Sequence, residues 1–217
     1  MTQVVLIHAM RHSLAPIEAA FAEHWCEARL TNLLDDSLAT NLAAAPVLDN
    51  RMTQRFLTLG RYAATLDADA ILFTCSAFVP CIHAVRDDLA PLPVRGPNEA
   101  MIAEIAAIEG RVALVATFAP TLRMMMAAKV ASGLDIEPVY VDGALAALDA
   151  GDPQRHDRLV VQALQDRRYD AVALVQYSLA RAAPAIAAQF AAPVLTAPAA
   201  AVQELRRATS GAQPSAR

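Results

Sequence analysis

Short apolar runs without polar alternation take turns along this chain with longer stretches of helical spacing. Val4 to Ile7 reads as a buried strand, and Ala15 to Arg29 as an amphipathic helix with Ser13 as its N-cap and Pro16 in its first turn. Leu33-Leu34 predicts a short second strand that stops at the turn cluster Asp35-Asp36-Ser37. Arg51 to Leu66 places Phe56, Leu59 and Tyr62 at helical spacing, and a helix over Glu99 to Glu109 comes later. Between them lies the run Ala68 to Phe73, which ends in Thr74-Cys75-Ser76-Ala77 and is followed by a helix to about Leu89 and a strand at Leu92-Pro93-Val94. Continuous apolar strands alternating with helices predict an α/β protein with a parallel sheet covered by helices. Pro80 fits the first turn of the helix after Cys75. Cys75 is thus expected at the carboxyl end of a strand, facing helix N–H groups, where open α/β sheets bind ligands and where a thiol's pKa falls.

The second half echoes the first. Val4-Val5-Leu6-Ile7 aligns with Val112-Ala113-Leu114-Val115, Asp35-Asp36-Ser37 with Asp142-Gly143-Ala144, Asp69-Ala70-Ile71 with Asp170-Ala171-Val172, and Pro93-Val94 with Pro193-Val194. The offsets fall steadily along the chain, as a duplication with small deletions in one copy produces. Two pseudo-symmetric halves follow: an N-terminal α/β half over 1–97, completed by the C-terminal helix 198–217, and a second half over 98–197. Their strand ends would face a common cleft, with Cys75 on one side and the corner Gln176-Tyr177-Ser178 on the other. The small and polar residues from Thr209 to Arg217 read as a frayed tail.

Composition narrows the function classes. With 217 residues, 56% of them hydrophobic, the chain has ample material for a buried core. A net charge of -4 with interspersed signs offers no basic stripe for nucleic acid. The most apolar stretch, Ala70 to Val85, is too short to span a membrane, and the first residues show no basic leader. Three cysteines without a Cys-x-x-Cys pair indicate neither a disulfide framework nor a metal site, and a cytoplasmic setting is expected. There is no glycine-rich phosphate loop and no Gly-x-Ser-x-Gly elbow, which disfavours nucleotide binding and serine hydrolysis.

Cys75 is the leading candidate for chemistry, since the thiolate is the reactive form of a cysteine. Tyr177 is the candidate opposite it, as a neutral hydrogen-bond donor or an acid. Ser76, Asn98, Thr117, Gln176 and Ser178 fall at strand ends and are candidate carboxylate ligands, and His8 closes the first strand beside the cleft. Phe78, Phe118 and Met124 to Met126 are candidate apolar liners of that cleft or part of its core.

The corner Thr74-Cys75-Ser76-Ala77, the segment Leu34-Asp35-Asp36-Ser37-Leu38, Pro97-Asn98-Glu99-Ala100 and Gln176 to Ala182 together resemble the Asp/Glu/hydantoin racemase superfamily, which also holds arylmalonate decarboxylases and maleate isomerases. That resemblance implies two Rossmann-like or flavodoxin-like halves, an active site in the cleft between them, no cofactor or metal, and a homodimer. It further implies a small carboxylic acid as substrate and a pair of cysteines on opposite faces of its α-carbon, one removing a proton and the other returning one. Cys75 matches the first cysteine, while the second position reads as Tyr177. The expectation is therefore a racemase or isomerase acting next to a carboxylate through Cys75. The alternatives are a one-cysteine decarboxylase of a malonate-type acid and a small-acid-binding protein without activity.

Overall fold

The longer apolar runs become central strands covered on both faces. The computed structural model describes residues 1–45, 47–132 and 135–211. In the first half β1 (Gln3–His8), β2 (Arg29–Leu34), β3 (Ala70–Phe73) and β4 (Val94–Arg95) form a parallel sheet of order β2-β1-β3-β4. In the second, β5 (Val112–Ala116), β6 (Ile136–Tyr140), β7 (Ala171–Leu174) and β8 (Val194–Thr196) repeat it as β6-β5-β7-β8, again all parallel. β1, β3, β5 and β7 are the central strands, and β3, β5 and β7 are buried at every residue. That is why their sequences show no polar alternation.

The helices are α1 (Leu14–His24), α2 (Ser37–Ala44), α3 (Asn50–Ala64), α4 (Val79–Asp88), α5 (Glu99–Ala106), α6 (Ala119–Ser132), α7 (Ala144–Asp149), α8 (Pro153–Gln162), α9 (Ala183–Ala187) and α10 (Ala197–Gly211). α10 packs against α1 and α5. One core joins the halves: Val4, Leu6 and Leu72 of the first sheet meet Leu114, Ala116 and Val175 of the second, with α1, α5 and α10 filling the space. Each fully buried leucine there contributes about 1.5–3 kcal/mol. A second core under α2, α3 and α4 holds Phe56, Phe73 and Phe78, and a third under α7, α8 and α9 holds Val160, Leu174 and Ile186. None of the described helices is long and apolar enough to cross a membrane.

Several boundaries differ from the sequence reading. The second strand starts at Arg29, because the backbone of β2 pairs with β1 from Gln3 onward regardless of its half-exposed side chains. α1 ends at His24, five residues earlier than its apolar pattern suggested. The helix after β3 does not follow Cys75 directly: a 3-10 turn over Ser76–Phe78 intervenes, and Pro80 then sits in the first turn of α4. Phe78 is fully buried against Phe56, with ring centroids 4.9 Å apart, so it belongs to the core and not to the cleft. α10 stays helical through Gly211, past the expected start of a tail at Thr209, and residues 212–217 lie outside the described residues.

Asp49 caps α3 by accepting the Met52 N–H at 2.8 Å. Asp49→Ala is expected to lower stability by about 1 kcal/mol, read from the chemical denaturation midpoint at unchanged slope.

Candidate functional site

The first half brings its chemistry to the carboxyl ends of β1 and β3. Thr74 N–H donates to Ile7 O at 3.0 Å, extending the ladder one residue past β3, and Cys75 follows in extended conformation before the 3-10 turn. The second half does the same: Val175 N–H donates to Val115 O at 3.3 Å, and Gln176, also extended, precedes a 3-10 turn over Tyr177–Ala182. The residue equivalent to Cys75 is therefore Gln176, and Tyr177 is equivalent to Ser76. This moves the position opposite Cys75 from Tyr177, where the family resemblance put it, to Gln176, and the offset that aligns Asp69-Ala70-Ile71 with Asp170-Ala171-Val172 gives the same residue.

Gln176 has a structural task. Its amide oxygen accepts the N–H of Thr117 at 2.6 Å and of Phe118 at 3.0 Å, which binds the β7 corner to the turn that opens α6. Thr117 turns its own hydroxyl toward the same oxygen at 3.4 Å. Asn98, which precedes α5, makes no side-chain cap; its amide nitrogen donates to Val175 O at 3.1 Å and to Met125 Sδ at 3.3 Å, stitching one half to the other. Ser76 Oγ reaches the same Val175 carbonyl at 3.5 Å.

Between the two corners lies a small cavity of about 20 Å³, lined by Met10, Ser13, Thr74, Cys75, Ser76, Thr121, Gln176, Tyr177 and Ser178. That is room for about one water molecule. None of the lining side chains is an acid, a lysine or an arginine, so the site works with hydroxyls, an amide and a thiol. Two hydroxyls carried by lining residues, Thr121 Oγ1 and Tyr177 Oη, are buried without a partner, as is Asn98 Oδ1 nearby. Orphaned buried polar atoms cost about 1–3 kcal/mol each and mark places where a ligand can supply the missing bond. Thr121 and Ser13 were not among the sequence candidates. The repeat itself carried the signal: the offset that aligns β1 with β5 places Ser13 on Thr121, one hydroxyl at the start of the helix that follows each of these strands.

The thiol differs from expectation. Burial pushes the Cys75 pKa up to about 11, and the backbone N–H of Ala77 pulls the other way without prevailing. The intervening 3-10 turn keeps the α4 N-terminus from acting on the sulfur, so Cys75 is a neutral thiol at neutral pH. Burial, and then the charge of Glu204, hold the Tyr177 phenol well above the ordinary tyrosine value, so it too keeps its proton. His8 is completely buried and both ring nitrogens are engaged, Nδ1 by Ser13 and Thr74 and Nε2 by Asn32. It stands behind the cavity. Among the described residues no group of three or more His, Cys, Asp or Glu side chains gathers as a metal-ligating set.

Two grooves flank the cavity. One, of about 660 Å³, runs between the small residues of α1, α9 and α10 and reaches the cavity at Ser178; the other, of about 630 Å³, is lined by Phe118, α2 and α7 and reaches it at Met10. Arg11 and His12 separate them, tied down by Arg11 to Asp36 at 2.6 Å and by His12 to Asp149 of the opposite half at 2.8 Å.

Two repeated parallel α/β halves with Cys75 and Gln176 at their facing strand ends define a two-lobed class of cleft protein. A sequence profile of the Asp/Glu/hydantoin racemase family matches residues 17–205, and the chain belongs to that family. Among solved structures it is similar to an allantoin racemase from Klebsiella pneumoniae, at 17% identity and TM-score 0.73, over 100% of this chain and 91% of the other. It is similar as well to a glutamate racemase from Francisella tularensis in complex with D-glutamate, at 10% identity and TM-score 0.73, over 97% and 81%. The maleate isomerase Iso from Pseudomonas putida S16 matches at 17% identity and TM-score 0.67, over 96% and 93%. No curated protein matches significantly. The fold expected from the sequence, two small parallel-sheet α/β halves, is the fold observed.

Proposed function

We propose that this protein is a cofactor-independent isomerase of racemase type that acts at the carbon next to the carboxylate of a small acid, with the Cys75 thiol as the group that moves the proton. The observation that carries this reading is one cavity shared by Cys75 and the hydroxyls of Ser76, Thr121, Tyr177 and Ser178 at the facing ends of the two sheets. A carboxylate held among those donors gains stabilisation as its charge spreads into an enediolate, the preorganised role that often dominates such catalysis. The narrow cavity leaves little room for water beside the carbanion, and it widens to admit a substrate, since it now has room for about one water molecule. Ser76, Ser178 and Thr121 hold the carboxylate. Gln176 lines the cavity while tying the corner to α6, Asn98 and Thr117 shape the corner from behind, and His8 supports the first-sheet side of it. In this proposal the chain acts in the cytoplasm, the setting its cysteine usage suggests, and as a homodimer, as the family resemblance implies.

A specific feature favours a second reading. Gln176 stands where a second thiol would complete a symmetric pair, and both proton-bearing side chains at the cavity are protonated at neutral pH. Such a site suits one-sided delivery of a proton to a carbanion formed by loss of CO2 from a malonate-type acid.

A panel of 2-amino acids, 2-aryl acids, hydantoins and arylmalonates, followed by proton NMR and CO2 release, separates the two. Inversion or exchange at the α-carbon supports the isomerase, CO2 release supports the decarboxylase, and no conversion of any compound contradicts both. Tyr177→Phe bears on the opposing group. Because the hydroxyl has no partner in the empty site, its removal is expected to leave the melting temperature unchanged or slightly raised. Turnover is expected to fall about tenfold or more, the loss of one hydrogen bond to a charged intermediate.

A further inference from the structure

The contacts around the His8 imidazole outnumber the protons present to fill them. His8 closes β1, and its Nε2 lies 3.0 Å from Asn32 Oδ1 on β2, while Asn32 Nδ2 donates to Glu18 Oε1 on α1 at 2.7 Å. Since the amide nitrogen faces the carboxylate, the amide oxygen faces the ring, and Nε2 carries the ring hydrogen. Nδ1 is then bare in the neutral ring. Ser13 Oγ lies 2.7 Å from it and Thr74 Oγ1 2.9 Å; the two hydroxyls are 3.0 Å apart, and Ser13 Oγ is 2.7 Å from Met10 O.

Ser13 has a single proton for two short contacts. A proton on Nδ1 fills both, with Nδ1–H donating to Ser13 Oγ and Ser13 O–H donating to Met10 O, while Thr74 donates to Ser13. The network is one proton short when the ring is neutral and complete when it is charged. Burial opposes the charge and lowers the His8 pKa below its ordinary value, although the Asn32 bond and the Glu18 carboxylate favour the charged ring. At neutral pH the imidazole is an empty acceptor.

Ser13, Thr74 and Cys75 line the one cavity with room for about a single water, and His8 and Cys75 border a second, narrower void. We infer that Ser13 and His8 form a proton relay that takes up the Cys75 proton, with Asn32 and Glu18 stabilising the imidazolium; this rests on Cys75 being the reacting thiol. The S–H bond breaks, its proton passes across the cavity to Ser13 Oγ, and the Ser13 proton passes to Nδ1. One S–H bond is lost and one N–H bond is gained, leaving a thiolate and an imidazolium at unchanged net charge. The reverse transfer restores the thiol. Asn32 and Glu18 are positioning residues, since they act only through the His8 ring. Glu18, on α1, is the charged side chain acting on the ring, Cys75 is the titratable group across the void, and β2 and β3 otherwise present Asn32 and Thr74.

Alkylation of Cys75 by iodoacetamide, resolved by mass spectrometry across pH, reads the relay without any substrate. Thiol with imidazole and thiolate with imidazolium carry the same net charge, so their ratio is independent of pH. With the thiolate's charge holding the proton on the imidazolium, the relay predicts a flat alkylation rate between about pH 6.5 and 8.5, whereas a lone thiol of such high pKa would gain about tenfold per pH unit. Ser13→Ala and His8→Gln should convert the plateau into that slope and slow alkylation at pH 7 by about tenfold or more. Glu18→Gln, at an exposed position that the fold tolerates, should lower the plateau several-fold. A wild-type rate that rises about tenfold per pH unit overturns the relay, as does a plateau that survives Ser13→Ala. An intact plateau in a protein whose turnover does not need Cys75 refutes the catalytic assignment alone, and Cys75-dependent turnover without a plateau refutes the relay alone.

Discussion

Cys75→Ala is expected to lower turnover by about 10²–10⁴-fold, the contribution of a positioned acid or base, and to leave the far-ultraviolet circular dichroism spectrum unchanged. The side chain fills little space and lies at the end of β3 beside a cavity, so its loss removes chemistry with little packing. Cys75→Ser should fall in the same range. Its hydroxyl fits the site but has no accessible oxyanion near neutral pH, so restoring volume without restoring the thiol does not restore the reaction. A variant that keeps a tenth or more of wild-type turnover would remove Cys75 from the reaction.

The second large effect lies beneath the site. Phe56 from α3 stacks on Phe73, with ring centroids 5.4 Å apart, and packs against Phe78 at 4.9 Å. These are the residues on either side of the Thr74-Cys75-Ser76 corner, and all three rings are buried. Phe56→Ala should cost about 3–5 kcal/mol through lost burial and the cavity it leaves, and Phe56→Leu roughly half as much. Thermal unfolding checks the size of the loss. Activity measured well below the lowered melting temperature should also fall in Phe56→Ala, because the void borders Cys75 directly. Full activity at that temperature would show that the corner holds its geometry without the aromatic floor.

The elements legible in the sequence were those written as continuous apolar runs. β1, β3, β5 and β7 are buried on both faces, and burial on both faces leaves no alternation to confuse with a helix. The repeat was legible for the same reason, because both copies keep the same strands in the same order. β2 was read too short because an edge strand held by backbone bonds has half-exposed side chains and no continuous apolar signature. The placement of Gln176 opposite Cys75 was legible in the repeat, whose offset from Asp69-Ala70-Ile71 to Asp170-Ala171-Val172 carries Cys75 onto Gln176, and the ladder bond from Val175 N–H to Val115 O agrees with it.

Ser13 shows a different limit. Its position before α1 reads as an N-cap, yet it makes no cap bond and gives its hydroxyl to Met10 O and the His8 network instead. A serine at that place has several partners in reach, and only the approach of β3 to β1 decides among them. The same holds for the thiol. From sequence Cys75 faced a helix N-terminus, where its pKa would fall; the 3-10 turn moves that N-terminus away, and burial then governs.

The most direct test is proton NMR in D2O of wild type and Cys75→Ala with an acid from the panel that the wild type converts. Deuterium should enter the α-carbon in the wild-type reaction and stay out in Cys75→Ala over the same interval. Equal deuterium uptake by both proteins would contradict the assignment of the proton-moving role to Cys75.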